Sequence, residues 1–127
     1  MAEYIEVPAG VYDMVTRCME QEFPDHVAIR YVAEDGKTVV EKKYREYAQD
    51  IRRMVAYLKA EVPDIKGQRI VLLSRNCYEF CVASYGIILA GGVLVTLNQK
   101  KTWEELEYEL GLVEPALILN DGIDYGW

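Results

Sequence analysis

Cys77 and Cys81 stand four residues apart, a spacing that puts two side chains on one face of a helix. Two thiolates held that way could begin a zinc site. Zinc needs four ligands at suitable spacing, and His26, the only histidine, is distant in sequence. Cys18, Cys77 and Cys81 are an odd number without CxxC spacing, so they form no disulfide framework. They read as free, buried thiols, since cysteine packs as a small hydrophobe. Gly86 and Gly91 have the four-residue gap of a phosphate loop, but Gly92 and Val93 stand where Lys and Ser or Thr should follow. Gly86 also falls inside a helical pattern, where backbone amides are already committed to helical hydrogen bonds. Its reading is close packing between helices. Ser74 has no GxSxG elbow around it and no base nearby in sequence, which argues against a serine hydrolase.

The elements that must position these residues follow from patterning. Val11, Val15, Cys18, Met19 and Phe23 keep helical spacing, and Pro24 closes this first helix. "VAIRYVA" and "TVVEKK" flank "EDGK", where Asp35 and Gly36 supply the turn of a β-hairpin. From Tyr44, the residues Tyr47, Ala48, Ile51, Met54, Val55 and Leu58 mark one stripe of an amphipathic helix that Pro63 and Gly67 end. "RIVLLS" is a continuous apolar run of strand length, as in a strand covered on both faces. A helix over about Cys77 to Ala90 follows, capped by Asn76, apolar nearly all round and stopped by Gly91 and Gly92. "VLVTL" is a second buried strand. Thr102 and Glu105 then form a capping box for a helix that Pro115 ends, and "ALIL" is a third buried strand.

Strands joined by single helices imply parallel pairing with right-handed crossovers. The expectation is an α/β fold: a three-layer sandwich with a mainly parallel βαβαβ sheet, preceded by a helix and a β-hairpin. Residues 1–127 form a single incomplete domain, because the chain stops where this architecture continues into another helix. Chemistry in such folds sits outside the carboxyl ends of the strands. Those positions hold Ser74, Arg75 and Asn76, then Asn98, Gln99 and Lys100, then Asn120 and Asp121. They are polar but carry no catalytic set. The sequence therefore assigns no catalytic, no cofactor-binding and no metal-ligating residue.

Composition narrows the partners. The 51% hydrophobic content suits a globular core, and no apolar run approaches the ~20 residues of a bilayer span. "MAEYIEVPAG" is no secretory signal, so the expected compartment is the cytoplasm. A net charge of −7 weighs against nucleic acid, whose phosphates are bound by Lys and Arg. Lys42, Lys43, Arg45, Arg52, Arg53 and Lys59 are a local exception and read as the solvated face of a helix and its lead-in.

Four stretches carry a resemblance. "KKYREYAQDIRRMVAYL", "KGQRIVLLSRNCYEF", "ILAGGVLVTLNQKKTWEELEYEL" and "PALILND" resemble, in order and spacing, the start of adenylate-forming acyl-CoA synthetases, the AMP-binding family of the ANL superfamily. The matching residues are Tyr44, Glu46 and Tyr47; Gly67, Arg69 and Asn76; Ala90 and Gly91; and Leu97, Asn98, Glu104, Glu105 and Leu106. Gln68 replaces the usual Asp, Thr96 the usual Pro, and Gln99 stands where another Pro is common. The family's Ser/Thr/Gly-rich phosphate loop, its Tyr-Gly-x-Thr-Glu segment, its ribose-binding Asp and its late catalytic Lys have no counterpart here.

The resemblance implies the N-terminal part of a larger enzyme that activates a carboxylic acid with MgATP and passes the acyl group to coenzyme A. "LLSRN" resembles the fatty-acyl branch, so a long-chain acid is the expected substrate. ATP, Mg²⁺ and coenzyme A belong to that parent enzyme, and this segment is its scaffold, inactive alone. Its partners are the remainder of the parent chain and, for the isolated segment, further copies of itself, touching near Leu117, Ile118, Leu119 and Trp127. Two alternatives stay open: an adenylation-domain segment of a peptide synthetase, and a free-standing, non-enzymatic α/β binding module.

Overall fold

The computed structural model describes residues 8–123. They divide into two compact units inside one helix, the first ending at Gln49 and the second beginning at Asp50. The division falls within a helix, so no linker sequence marks it.

In the first unit a short turn, α1 (Val11–Asp13), leads into a π-helix over Met14–Glu22. The expected helix is present, but its type differs from the one its spacing suggests. The Phe23 N–H donates to the Cys18 carbonyl, five residues back, at 2.9 Å. Arg17 bonds Asp13 at 3.0 Å and Glu22 at 3.1 Å. A partner five residues on is brought over Arg17 by the wider π turn, and apolar periodicity alone does not distinguish the two windings. The hairpin follows as β1 (Val27–Val32) and β2 (Val39–Lys43), paired antiparallel with Val32 opposite Val39. Its turn works as the residues imply. Gly36 takes φ +72°, and the Asp35 carboxylate accepts from the Lys37 and Thr38 amides, each at 2.8 Å, and from the Thr38 hydroxyl.

The helix α2 (Tyr44–Glu61) buries Tyr47, Ala48, Ile51 and Leu58 along one stripe. Arg45, Arg52, Arg53 and Lys59 are exposed, as a solvated basic face requires, whereas Lys42 and Lys43 are half-buried at the end of β2.

The second unit holds the parallel sheet, made of β3 (Arg69–Leu73), β4 (Val93–Thr96) and β5 (Leu117–Asn120) in the order β4-β3-β5. Between them lie α3 (Tyr78–Leu89) and α4 (Trp103–Val113). Strand pleating sends alternate residues of β3 to opposite faces. Ile70 and Leu72 join Leu58, Val62, Ile65, Ala83, Ile87 and Ala90 in one core, which α2 and α3 supply. Val71 and Leu73 join Leu106 in the other, under α4. The result is a three-layer α/β sandwich.

Three expectations need correction. β4 and β5 are not fully buried: Val93 and Ile118 are exposed, because these are the two outer strands and only the central β3 is covered on both sides. Asn76 is not the cap of α3. The helix begins at Tyr78, its N-cap is Cys77, and no side chain caps it. The three cysteines are free but half-buried rather than buried. Elsewhere the local chemistry holds. Thr102 accepts from the Glu105 amide at 3.3 Å while Glu105 accepts from the Thr102 amide at 3.1 Å, a complete capping box. α4 then ends on Glu114 in the left-handed region, φ 51°, where glycine is the usual residue.

Candidate functional site

The connections leaving β3 and β4 go to opposite faces of the sheet, through α3 and α4 respectively. That reversal defines the crevice where an open parallel sheet presents its ligand-binding rim. The rim is built from the loops after β3, β4 and β5.

After β3, Ser74 is buried, and its hydroxyl donates to the Arg75 carbonyl at 2.8 Å. The Ser74 Oγ also lies 3.7 Å from the Cys77 Sγ. The Arg75 amide donates to Asp121 Oδ2 at 3.0 Å, and the Arg75 guanidinium stands 3.5 Å from the same oxygen. The Asp121 side chain is 5% exposed, and its Oδ1 accepts from the Ile123 amide at 3.1 Å. One carboxylate thus ties the carboxyl ends of β3 and β5 together. After β4, Asn98 Oδ1 accepts from the Lys100 amide at 2.9 Å, and after β5, Asn120 Oδ1 accepts from the Gly122 amide at 2.8 Å. These are side chains stabilising their own turns. The polar rim is organised as structure, and its bonds hold loops to strands.

The residues singled out for chemistry fall in different units. His26 lies in the first unit, its ring packed edge-on against Phe23 with centroids 5.4 Å apart. Ser74 lies in the second. Cys77 caps α3 through its backbone and Cys81 follows one turn on. Partial burial pushes the Cys81 thiol above its ordinary pKa, with the neighbouring Cys77 adding to the shift. Such a thiol is protonated at neutral pH and poor as a nucleophile. Among the described residues, no group of three or more His, Cys, Asp or Glu side chains could hold a metal ion.

Gly86 has the packing role its helical position implies. A Cβ there would lie 2.5 Å from Met54 Cγ and 2.9 Å from Met54 Cβ, so α2 and α3 cross in contact at this point. The Gly86 carbonyl accepts from the Ala90 amide at 2.9 Å, within the helical ladder. Beside that crossing the Tyr78 hydroxyl donates to Asp50 Oδ2 at 2.6 Å. It closes the polar side of a small cavity of about 200 Å³ lined by Asp50, Met54, Tyr78, Glu79 and Val82. A second, open groove of about 680 Å³ lies near the amino ends of the strands, with Lys59, Ile65, Lys66, Leu89 and Gly91 on its walls.

Sequence reasoning placed Arg75 and Asp121 at strand ends but did not join them. The joining requires knowing that β5 lies beside β3 rather than beside β4. Register then follows, since Leu73 pairs with Asn120. The Tyr78–Asp50 bond was missed for the same reason, a contact between helices that neither pattern contains.

Comparison with known proteins agrees with this architecture. A family model described as "AMP-binding enzyme" matches residues 17–124. A long-chain-fatty-acid–CoA ligase of Bacillus subtilis is 30% identical over 97 residues, 76% of this chain and 16% of that protein. A Salmonella typhimurium protein of the same name is 32% identical over 119 residues, 90% of this chain and 20% of its own length. The crystal structure of a fatty acid AMP ligase from Legionella pneumophila superposes with a TM-score of 0.75 at 19% identity, over 88% of this chain and 19% of that one. The chain spans about a fifth of the length of the relatives it matches. No helix among the described residues is long and apolar enough to cross a membrane.

Proposed function

Because the chain belongs to the AMP-binding enzyme family, we propose that it is the N-terminal scaffold of an adenylate-forming acid–CoA ligase acting on long-chain fatty acids. The whole enzyme converts a carboxylic acid, ATP and coenzyme A to acyl-CoA, AMP and pyrophosphate. The observation that carries this reading is the agreement of both curated relatives in name, across most of this chain. Residues 1–127 are then one incomplete domain whose partner is the remainder of a longer chain, working in fatty acid metabolism in the cytoplasm.

ATP and Mg²⁺ do not fit the residues of this segment. Nucleotidyl transfer depends on donors preorganised around phosphate, each worth about 3 kcal/mol of transition-state stabilisation. The one glycine pair with phosphate-loop spacing is spent on helix packing at Gly86, and the rim's Asp121 is engaged by Arg75 and Ile123. Nucleotide, metal and coenzyme A are therefore assigned to the rest of the enzyme. The role of residues 50–123 is to hold a three-layer sandwich with a bonded carboxyl-end rim.

Pyrophosphate exchange into ATP by the full gene product, run against a panel of carboxylic acids, tests the reading. Exchange that depends on long-chain fatty acids, with acyl-CoA formed on adding coenzyme A, is the expected result. Exchange driven by amino acids and not by fatty acids would replace it with the peptide-synthetase alternative.

A further inference from the structure

The two outer layers of the sandwich present faces of opposite charge. On α2, the exposed residues of the second unit are Arg52, Arg53, Ala56, Tyr57, Lys59, Ala60 and Glu61, with Arg53 paired to Asp50 at 3.2 Å, so that basic residues outnumber the acidic ones. On α4, Glu104, Glu107, Tyr108, Gly111 and Leu112 are likewise exposed. Leu58 of α2 packs with Ile70 and Leu72, whereas Leu106 of α4 packs with Val71 and Leu73, so the two faces look outward from opposite sides of the sheet. We propose that a second copy of this chain docks its acidic α4 face onto the basic α2 face, head to tail.

Shape and charge both favour this occupant. Tyr108 and Leu112, 69% and 66% exposed, stand one turn apart and form an apolar ridge. Ala56 and Ala60, also one turn apart, leave a shallow groove beside Tyr57, which is 47% exposed. A ridge of residues four apart seats in a groove of the same spacing. Glu104 and Glu107 beside the ridge then meet Arg52, Arg53 and Lys59 beside the groove. The chain's net charge of −7 makes copies repel one another generally, and the basic α2 face is where an acidic copy is attracted. The contact is short. The α2 part of it, Arg52 to Ala60, spans about 12 Å, and such a patch falls below the roughly 1,200 Å² of a stable interface, so association is weak. Because the faces lie on opposite sides, the contact is heterologous and extends copy by copy rather than closing as a dimer. This surface is independent of the ligase reading.

Sedimentation equilibrium of the 127-residue chain over a concentration series gives the first test. The mass average should exceed the monomer at low salt and high protein, and return to the monomer at about 0.5 M salt, where charges are screened beyond a few Å. Association through apolar strand edges of like-charged chains would instead strengthen with salt, and that outcome overturns the proposal. A strict monomer at millimolar protein and low salt overturns it equally. The second test exchanges charge. Arg53→Glu with Lys59→Glu makes both faces acidic, and Glu104→Lys with Glu107→Lys makes both basic. Each variant alone should lose self-association while keeping its circular dichroism, and a mixture of the two should recover it. Folded variants that do not associate on mixing contradict the proposal. Should a variant not fold, the salt dependence of the unmodified chain still decides.

Discussion

Replacing Gly86 by Ala sets two known effects against each other at one atom. Alanine is favoured over glycine in a helix interior by about 1 kcal/mol, so an open site would gain stability. This site is not open. The new methyl would stand 2.5 Å from Met54 Cγ and 2.9 Å from Met54 Cβ. A rotamer change moves Cγ aside, but Cβ is fixed to the α2 backbone, so one helix must shift by several tenths of an ångström. Overpacking of this kind costs about 1–3 kcal/mol, and a clash that cannot be relieved by the side chain belongs in the middle of that range. The net expectation is a loss of about 1 kcal/mol. Urea denaturation of the 127-residue chain measures it, and a cycle with Met54→Gly isolates the cause. Gly86→Ala should cost less in the Met54→Gly background, where Cβ and Cγ are both gone, with a coupling of about 1 kcal/mol. Stabilisation of the single variant, or an equal cost in both backgrounds, would refute close helix packing as the role of Gly86.

Thr102→Ala removes the capping box of α4 and should cost about 1 kcal/mol in the same urea assay, whereas Asn76→Ala, which removes no cap, should change stability by under ~0.5 kcal/mol. Glu114→Gly relieves a left-handed backbone at φ 51° and should raise stability by about 1 kcal/mol; an unchanged urea midpoint would contradict the geometry. Asp35 titrates below its ordinary value because the Thr38 hydroxyl, then the Thr38 and Lys37 amides, bond its ionised form. Its contribution to the hairpin turn is therefore complete above the unfolded value of ~3.9 and lost as pH falls through the lower folded value. A carboxyl titration by NMR should place the midpoint below that of a model peptide, and a midpoint at or above it would refute the turn geometry.

Much of the fold was legible because it rests on local signals. The Asp35–Gly36 turn, the Thr102–Glu105 box and the apolar run of β3 each state their structure within a few residues. The π winding of Met14–Glu22 was not legible, since Val15 and Met19 suit a buried face in either winding. Asn76 misled because a capping residue type one position too early still looks like a cap, and only the backbone shows Cys77 in that place. β4 and β5 read as buried for a related reason: an apolar run implies cover on both faces, while cover depends on which strand is central. Strand order also hid the Arg75–Asp121 clasp at the rim. The family was legible through ordered short motifs spread along the chain, which survive substitutions at Gln68, Thr96 and Gln99 because those positions lie in turns and strand ends.

The central claim is that residues 1–127 hold a scaffold and carry no nucleotide site of their own. Titration calorimetry of the 127-residue chain with MgATP tests it most directly. The account expects no saturable heat up to millimolar nucleotide, and the same result after adding a long-chain fatty acid. Micromolar binding with one-to-one stoichiometry, abolished by substitutions at Arg75 or Asp121, would contradict it and turn the bonded rim into a ligand site.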